Sequence, residues 1–304
     1  MWYNSCIMAT TIYSEIGSNK AKTWIILLGF IVFFFVASYV LGQALGYGLS
    51  WVGIMLIISG FISFFSYYNS DKIVLTMSGA KPADKTSHRT LYTTVENLSI
   101  AAGLPMPRVY VVEDPSPNAF ATGRDPKHAA VAATTGILEK LSKVELEGVI
   151  AHELSHVGNY DTRLMGVVSV LVGSIAILAD VFMRSMWLGN NNDRRGTNQI
   201  FIILGIFFAI LAPIIAMLIQ LAISRKREYL ADASGALLTR YPDGLADALV
   251  KIAADPRPVQ RASVGTAHFY IADPFKGKKK TNWLVGLFQT HPPVDDRIKI
   301  LRAM

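Results

Sequence analysis

The sequence predicts a polytopic membrane protein of the α+β class, with four transmembrane helices and one domain built from two separate cytoplasmic segments. Of its 304 residues, 52% are hydrophobic and only 17% are charged, whereas a soluble domain usually carries about a quarter charged residues. Four apolar stretches approach or exceed the roughly 20 residues that a spanning helix requires. They cover about residues 23–42, 51–68, 164–188 and 200–223.

These stretches divide the chain into four parts. Residues 1–70 are an N-terminal segment with a first transmembrane hairpin, and residues 164–223 are a second hairpin. Residues 71–163 and 224–304 are the two cytoplasmic segments. Basic residues flank most of the ends assigned to the cytoplasm, and the loop between the first two spans has no charge. Because Lys and Arg accumulate on the cytoplasmic side of spans, both termini and both polar segments are placed in the cytoplasm.

Short patterns in the polar segments predict both helices and strands. Residues 73–77, 108–112, 120–122 and 129–134 are predicted strands, and a helix over 87–102 ends at Gly103. Ser142 and Glu145 are spaced as a capping box that begins a further helix. Three more helices are expected up to Leu238, from about Asp243, and over about 294–301.

The net charge of +7 favours lipid over nucleic acid as a partner. Much of the excess lies next to the predicted spans, where Lys and Arg face anionic headgroups. A lipid bilayer is therefore the expected surface, and no nucleic acid is expected. Cys6 is the only cysteine, which excludes an internal disulfide and agrees with a reducing compartment.

Residues 152–156 read His-Glu-Leu-Ser-His, the H-E-x-x-H pattern of zinc peptidases. Positions four apart on a helix share a face, so the imidazoles of His152 and His156 can reach one zinc ion. Glu153 lies beside them as a general base that takes the proton of the attacking water. The pattern predicts hydrolysis of peptide bonds without a covalent enzyme intermediate.

Catalytic zinc generally takes three protein ligands, and Glu228 is the best candidate for the third. Asp232 follows one turn later on the same predicted helix, where it can accept the second ring N–H of a ligand histidine. Two spans lie between His156 and Glu228, an even number, so the chain returns to the side that it left. The predicted centre therefore holds one Zn²⁺ per chain, close to the membrane surface.

With His152–His156, two spans and then Arg227-Glu228-Tyr229-x-Ala231-Asp232, the chain resembles the HtpX-type membrane zinc metallopeptidases. These are relatives of the type I CAAX prenyl proteases within the gluzincins, and the likeness covers nearly the whole chain. The resemblance implies a thermolysin-like peptidase domain with His152, His156 and Glu228 as ligands and Glu153 as the catalytic residue. It also implies a stress-linked protease that cleaves misfolded or damaged membrane proteins at the cytoplasmic face of a bacterial inner membrane.

Two further sites follow from the resemblance. Asn118, Ala119 and Phe120 resemble the edge-strand segment that holds an extended peptide in thermolysin-like enzymes, while a plain hairpin is the alternative. His291 could donate a hydrogen bond to the developing oxyanion, or it could cap or pack the last helix.

Two other functions stay open at this point. One is a specific processing protease of the CAAX type, although four spans are few to enclose a chamber for a lipid chain. The other is a membrane scaffold or transporter whose zinc is structural. That alternative requires a fourth protein ligand, most plausibly His291, and gives Glu153 no task. Native substrates and oligomeric state are not predicted.

Overall fold

The computed structural model describes residues 2–44, 49–173, 225–261, 270–271 and 292–304, and the structural statements below concern these residues. His291 and the predicted fourth span lie outside them. So does the predicted third span beyond residue 173.

Two long helices carry the first predicted hairpin, α1 (Trp2–Ala44) and α2 (Leu49–Met77). Within them, Ile16–Val36 and Gly53–Met77 are long and apolar enough to cross a membrane. Large apolar side chains on both helices, Trp24, Leu28, Ile57 and Phe61, are between 59% and 75% exposed. Apolar surface of this extent suits contact with lipid rather than with water.

The predicted strand over residues 73–77 is wrong, because α2 continues through them to Met77. The polar residues that follow the apolar stretch contain neither Gly nor Pro and do not break the helix. Gly79, at φ 67°, marks the end of the helical path, since glycine adopts this left-handed conformation without a steric penalty. The first strand, β1, is Ala80–Pro82.

Four strands form one mixed sheet in the order β1-β2-β4-β3. The other three are β2 (Arg108–Val112), β3 (Ala119–Thr122) and β4 (Ala130–Thr134). These three agree with the predicted strands to within one residue. Strand β4 pairs parallel with β2 and antiparallel with β3, so β3 is left at the edge of the sheet.

Helices account for most of the remaining described chain. They are α3 (Arg89–Ala102), α4 (Thr135–Lys140), α5 (Lys143–Gly158), a helical stretch α6 over 161–173, α7 (Arg225–Thr239), α8 (Pro242–Ala254) and α9 (Val294–Arg302). The helices predicted over 87–102, up to Leu238, from Asp243 and over 294–301 correspond to α3, α7, α8 and α9.

The sheet lies between two apolar layers, and the alternation of β4 shows this directly. Val131 and Ala133 point into the main core, which α3, α5, α7, α8 and α9 cover. Ala130 and Ala132 point to the opposite face, which meets Val74 of α2 and other buried side chains. Since successive residues of a strand face opposite sides of the sheet, a strand buried on both sides is apolar throughout.

The membrane hairpin and the mixed sheet are joined by α6. Its residues Leu164, Val168 and Leu171 pack with Ile26 and other apolar residues of α1 in one buried cluster. Because α6 directly follows the helix that carries the H-E-x-x-H residues, this packing fixes α1 close to that helix.

Glycines let α7 and α8 approach α5 closely. A Cβ atom at Gly148 of α5 would lie 2.7 Å from the backbone nitrogen of Leu245, and one at Gly235 of α7 would lie 3.0 Å from that of His152. Gly235 follows Glu228 by seven residues, two helical turns, and therefore shares its face. The close approach at Gly235 thus brings the Glu228 face of α7 against α5.

Candidate metal centre

The H-E-x-x-H residues lie on α5, whose first turn is held by the predicted capping box. Ser142 Oγ accepts the backbone N–H of Glu145 at 3.4 Å, and Glu145 Oε2 accepts the backbone N–H of Ser142 at 2.7 Å. These bonds satisfy two of the free N–H groups of the helix end. From this start, His152, Glu153 and His156 all lie on buried parts of the helix surface.

The structure brings His152, His156 and Glu228 together in one buried cluster. Their nearest ligand atoms all lie within 4.8 Å of one another. The two Nε2 atoms are 3.2 Å apart. Glu228 Oε1 lies 3.5 Å from Nε2 of His156, and Oε2 lies 3.8 Å from Nε2 of His152.

These separations fit a tetrahedral zinc ion. With metal–nitrogen bonds of about 2.05 Å, two ligand nitrogens at the tetrahedral angle are about 3.3 Å apart. The 3.2 Å between the Nε2 atoms is close to this value, and the two N···O separations need only small shifts. Two imidazoles and one carboxylate form a typical ligand set for catalytic zinc, which leaves a fourth position open.

Each histidine of the cluster has a buried aspartate behind it. Nδ1 of His152 lies 2.9 Å from Oδ1 of Asp232, and Nδ1 of His156 lies 2.9 Å from Oδ2 of Asp161. A carboxylate at this position favours the tautomer with hydrogen on Nδ1 and leaves the Nε2 lone pair for a metal. Asp232 thus occupies the place predicted for it, whereas Asp161 was not predicted.

Burial and charge act differently on the pKa values of the two histidines. Burial lowers the pKa of His152, and the nearby Asp232 only partly offsets this effect. Burial also disfavours the charged form of His156, but its hydrogen bond with Asp161 and the charge of Glu228 prevail and raise its pKa to about 9. A bound cation would favour the neutral form of both rings.

Glu153 is almost fully buried next to the cluster. Burial raises its pKa to about 8, and the charge of His156 and a backbone N–H donated by Ala121 oppose this rise. A dication held by the neighbouring ligands would favour the ionised carboxylate. Glu153 then has the properties of a general base, and the N–H of Ala121 links it to strand β3.

Arg297, from α9, supplies the main buried positive charge. It is 0% exposed. Its Nε donates to Oδ2 of Asp232 at 2.8 Å, and its Nη2 donates to Oδ1 at 2.7 Å. Its Nη1 lies 3.7 Å from Oε2 of Glu228 and donates to the carbonyl of Ile271. The guanidinium opposes the effect of burial and keeps the pKa of Asp232 below its ordinary value.

The charges around the cluster leave room for a dication. Four buried carboxylates, those of Glu153, Asp161, Glu228 and Asp232, are accompanied by two buried guanidinium groups, Arg227 and Arg297. With both ligand imidazoles neutral, these described groups carry two excess negative charges. A divalent cation, which would itself favour neutral imidazoles and an ionised Glu153, would compensate this excess.

The candidate peptide-binding residues lie along β3. Asn118 accepts the backbone N–H groups of Ala119 and Ile271, each at 3.1 Å, so its side-chain oxygen holds the 270–271 segment. Phe120 is buried and packs against Tyr270 with ring centroids 5.7 Å apart. These two side chains therefore serve the packing of β3.

The backbone of β3 has an outer edge, on which the N–H of Ala119 donates to Asn118 and the N–H of Ala121 to Glu153. The carbonyl of Asn118 accepts the N–H of Thr134 in β4, and inward-facing residues alternate along an antiparallel strand. The backbone groups of Ala119 and Ala121 consequently point away from β4. The position of Ala119, predicted from the sequence, is thus on an edge that runs beside Glu153.

No role was assigned to Asp161 or Arg297 in the sequence analysis. Asp161 follows the end of α5 by three residues. An acidic residue just after the helix that carries the H-E-x-x-H pattern is the sequence feature that could have identified it. The sequence feature that could have identified Arg297 is its spacing of four residues from Leu301, which places the arginine on the buried face of α9.

Three comparisons relate the chain to known proteins. The profile of Peptidase family M48 matches residues 85–304. A "Protease HtpX homolog" of Dictyoglomus thermophilum is 46% identical over 294 residues, which is 97% of this chain and 95% of the relative. Proteins with the same name are 46% identical in Tropheryma whipplei Twist (96% and 98% covered) and 43% identical in Listeria monocytogenes serotype 4a (96% and 100% covered). The crystal structure of S. mikatae Ste24p aligns with a TM-score of 0.45 and 16% identity over 99% of this chain and 66% of that chain.

Replacing Arg297 with alanine is expected to lower the free energy of unfolding by about 3–5 kcal/mol, because Asp232 would stay buried without its cation. Arg302→Ala is the matched control on the same helix. Arg302 pairs with Asp247 at 3.2 Å, and both side chains are about half exposed, so a loss of at most about 1 kcal/mol is expected. Denaturant unfolding in detergent, with a chelator present, measures both. Equal losses in the two variants would contradict a stabilising role for the buried pair.

Proposed function

The chain belongs to peptidase family M48 and is therefore a metalloprotease; from this premise we propose a zinc-dependent endopeptidase of the bacterial inner membrane that hydrolyses misfolded or damaged membrane proteins under stress. The observation that supports it most is the buried cluster of His152, His156 and Glu228 with Glu153 alongside. Relatives that match nearly the whole chain are named as HtpX protease homologs, and two described helices could cross a membrane.

His152, His156 and Glu228 would hold one zinc ion per chain. When bound, zinc supplies a Lewis acid that acidifies water and polarises the scissile carbonyl. Asp232 and Asp161 keep both Nε2 atoms directed at the common point, and Arg297 compensates the charge of Asp232. The described residues place three ligand groups there, which leaves a position open for reactants.

Glu153 carries the proton transfers. Its carboxylate takes a proton from the attacking water and passes it to the nitrogen of the leaving amine. Burial excludes bulk water from this transfer, and the N–H of Ala121 orients the carboxylate. His291 remains the proposed donor to the oxyanion.

We propose that the substrate lies as an extended strand along β3. The outward carbonyl groups of Ala119 and Ala121 would accept hydrogen bonds from its main chain, and such pairing accepts many side-chain sequences. Asn118 and Phe120 would contribute by holding β3 in place. This mode suits a quality-control protease, because damaged proteins share a backbone and not a sequence.

The two alternative functions have less support. A structural zinc site needs a fourth protein ligand, and the described residues gather three. It also gives no reason for burying Glu153 at this position. A specific CAAX-type protease would need a lipid-sized chamber, and the relatives with the highest coverage reported above carry the HtpX name instead.

The full topology is proposed to contain four spans, with residues 164–223 as the second hairpin between the cytoplasmic segments 71–163 and 224–304. The start of α7 supports this arrangement, because Arg227 Nε lies 3.5 Å from Oδ1 of Asp161 at the start of α6. An even number of crossings is required for the chain to return there.

Glu153→Gln is expected to retain about one zinc per chain and to lose proteolysis by about 10²- to 10⁴-fold, since only the proton transfer is removed. Glu228→Ala should lose both zinc and activity. Glu147→Gln is the control on the same helix, because Glu147 is partly exposed and lies near Lys143 at 3.8 Å; it should behave as wild type. Metal analysis and casein cleavage in detergent provide the measurements. Full activity in Glu153→Gln, or full zinc content in Glu228→Ala, would refute the proposal.

Peptide substrates N-methylated at single backbone positions test the β3 proposal. Methylation at residues that pair with Ala119 or Ala121 should raise KM about fivefold or more, as expected for one lost hydrogen bond with a buried partner. Methylation at the intervening residue, which faces away from β3, should have little effect. A KM that shows no two-residue alternation would argue against strand pairing.

Cysteine labelling tests the topology. In a Cys6→Ser background, a cysteine at Asn191 should react with an impermeant maleimide on intact spheroplasts. A cysteine at Lys143, whose side chain is 64% exposed, should react only after permeabilisation. The reverse pattern, or equal labelling from outside, would contradict four spans with a cytoplasmic site.

A further inference from the structure

Asp161, the carboxylate behind His156, is also held from the membrane hairpin. While Oδ2 lies 2.9 Å from Nδ1 of His156, Oδ1 accepts a hydrogen bond of 2.7 Å from Nδ2 of Asn19. Asn19 belongs to α1 and is 0% exposed. A side chain of the first transmembrane helix is therefore only one residue removed from a proposed metal ligand.

The same amide group also fixes the turn that delivers Asp161. Nδ2 of Asn19 donates to the carbonyl of Asn159 at 2.9 Å. The next residue, Tyr160, has φ 61°, an unfavourable conformation for a residue with a side chain that requires support from its surroundings. Lys20, adjacent to Asn19, places its Nζ 4.3 Å from the centroid of the Tyr160 ring. Two consecutive residues of α1 thus hold both residues of this turn.

We propose that Asn19 is a positioning residue of the metal centre, which acts through Asp161 to orient His156. The inference rests on the proposed function, because it takes His156 as a zinc ligand. The amide bond to Oδ1 fixes the rotation of the Asp161 carboxylate, so that Oδ2 remains in line with Nδ1 of His156. Arg227, with Nε 3.5 Å from the same Oδ1, adds charge but approaches less closely than the amide.

This arrangement makes the first transmembrane helix part of the metal centre. A shift of α1 relative to α6 would move Asn19 away from Asp161 and leave a buried carboxylate oxygen with weaker support. Metal affinity then depends on how the hairpin is seated against the domain. If Asn19 only docks α1 onto the domain, its loss would affect stability without acting through Asp161.

A double-mutant cycle on the full-length protein in detergent distinguishes these roles. Zinc affinity is measured by competition with a chromophoric chelator for wild type, Asn19→Ala, Asp161→Ala and the double variant. Asn19→Ala should weaken zinc binding about tenfold and Asp161→Ala at least as much, as is typical of groups that orient metal ligands. The double variant should equal Asp161→Ala alone, because Asn19 has no effect once its target is gone. Additive losses, or an Asn19→Ala affinity equal to wild type, would overturn the inference.

Two further variants separate orientation from packing. Asn19→Asp keeps the size of the side chain but removes the donor and places a like charge against Asp161, so its zinc affinity should fall at least as far as that of Asn19→Ala. It decides the question if the alanine variant does not fold. Thr23→Val, one turn along α1, removes a buried hydroxyl that donates to the carbonyl of Asn19 at 2.8 Å and should bind zinc as wild type does. A comparable loss in Thr23→Val, or wild-type affinity in Asn19→Asp, would assign Asn19 to packing.

The proposed function and this inference fail in different ways. If wild type binds no zinc, or if Glu228→Ala binds it fully, the metal centre itself is wrong. If wild type binds about one zinc that Glu228→Ala loses, while the Asn19 variants bind as wild type does, only the inference on Asn19 is wrong.

Discussion

The metal centre depends on one electrostatic constraint: two buried imidazoles must keep their Nε2 lone pairs directed at a common point. An imidazole alone can carry its hydrogen on either nitrogen, and burial makes the choice depend on its neighbours. Asp232 and Asp161, each 2.9 Å from an Nδ1 atom, make that choice. They also add negative charge to a region without bulk water. Arg297 from α9 and Arg227 from α7 compensate part of it, so the centre recruits side chains from helices that contribute no proposed ligand as well as from those that do.

Local signals in the sequence predict much of this molecule. Strands β2, β3 and β4 follow from alternation, α3 from its periodicity and Gly103, and the start of α5 from Ser142 and Glu145. Two members of the candidate metal cluster can be predicted in the same way, because the four-residue spacing of His152 and His156 places them on one face of a helix. The prediction of Glu228 required one long-range argument. An even number of spans returns the chain to the side of the membrane that it left.

The features that could not be predicted depend on contacts between distant parts of the chain, which local sequence patterns do not reveal. Asn19 resembles any polar residue at the start of a span, and its partner Asp161 lies 142 residues later. Which of these side chains meet is decided by how α1 is rotated against α6, a tertiary property. The strand wrongly predicted over 73–77 has the same origin: β-branched residues prefer strands only weakly, and continuation of α2 against the sheet overrides that preference.

The residues of the candidate centre lie far apart in the sequence, so they are synthesised at different times. The H-E-x-x-H helix leaves the ribosome first, α7 follows after the predicted second hairpin, and Arg297 comes 65 residues after its partner Asp232. Until that arginine is made, the acidic pair on α7 lacks this buried counter-ion. We therefore expect the candidate metal centre to be complete only after almost the whole polypeptide has been synthesised.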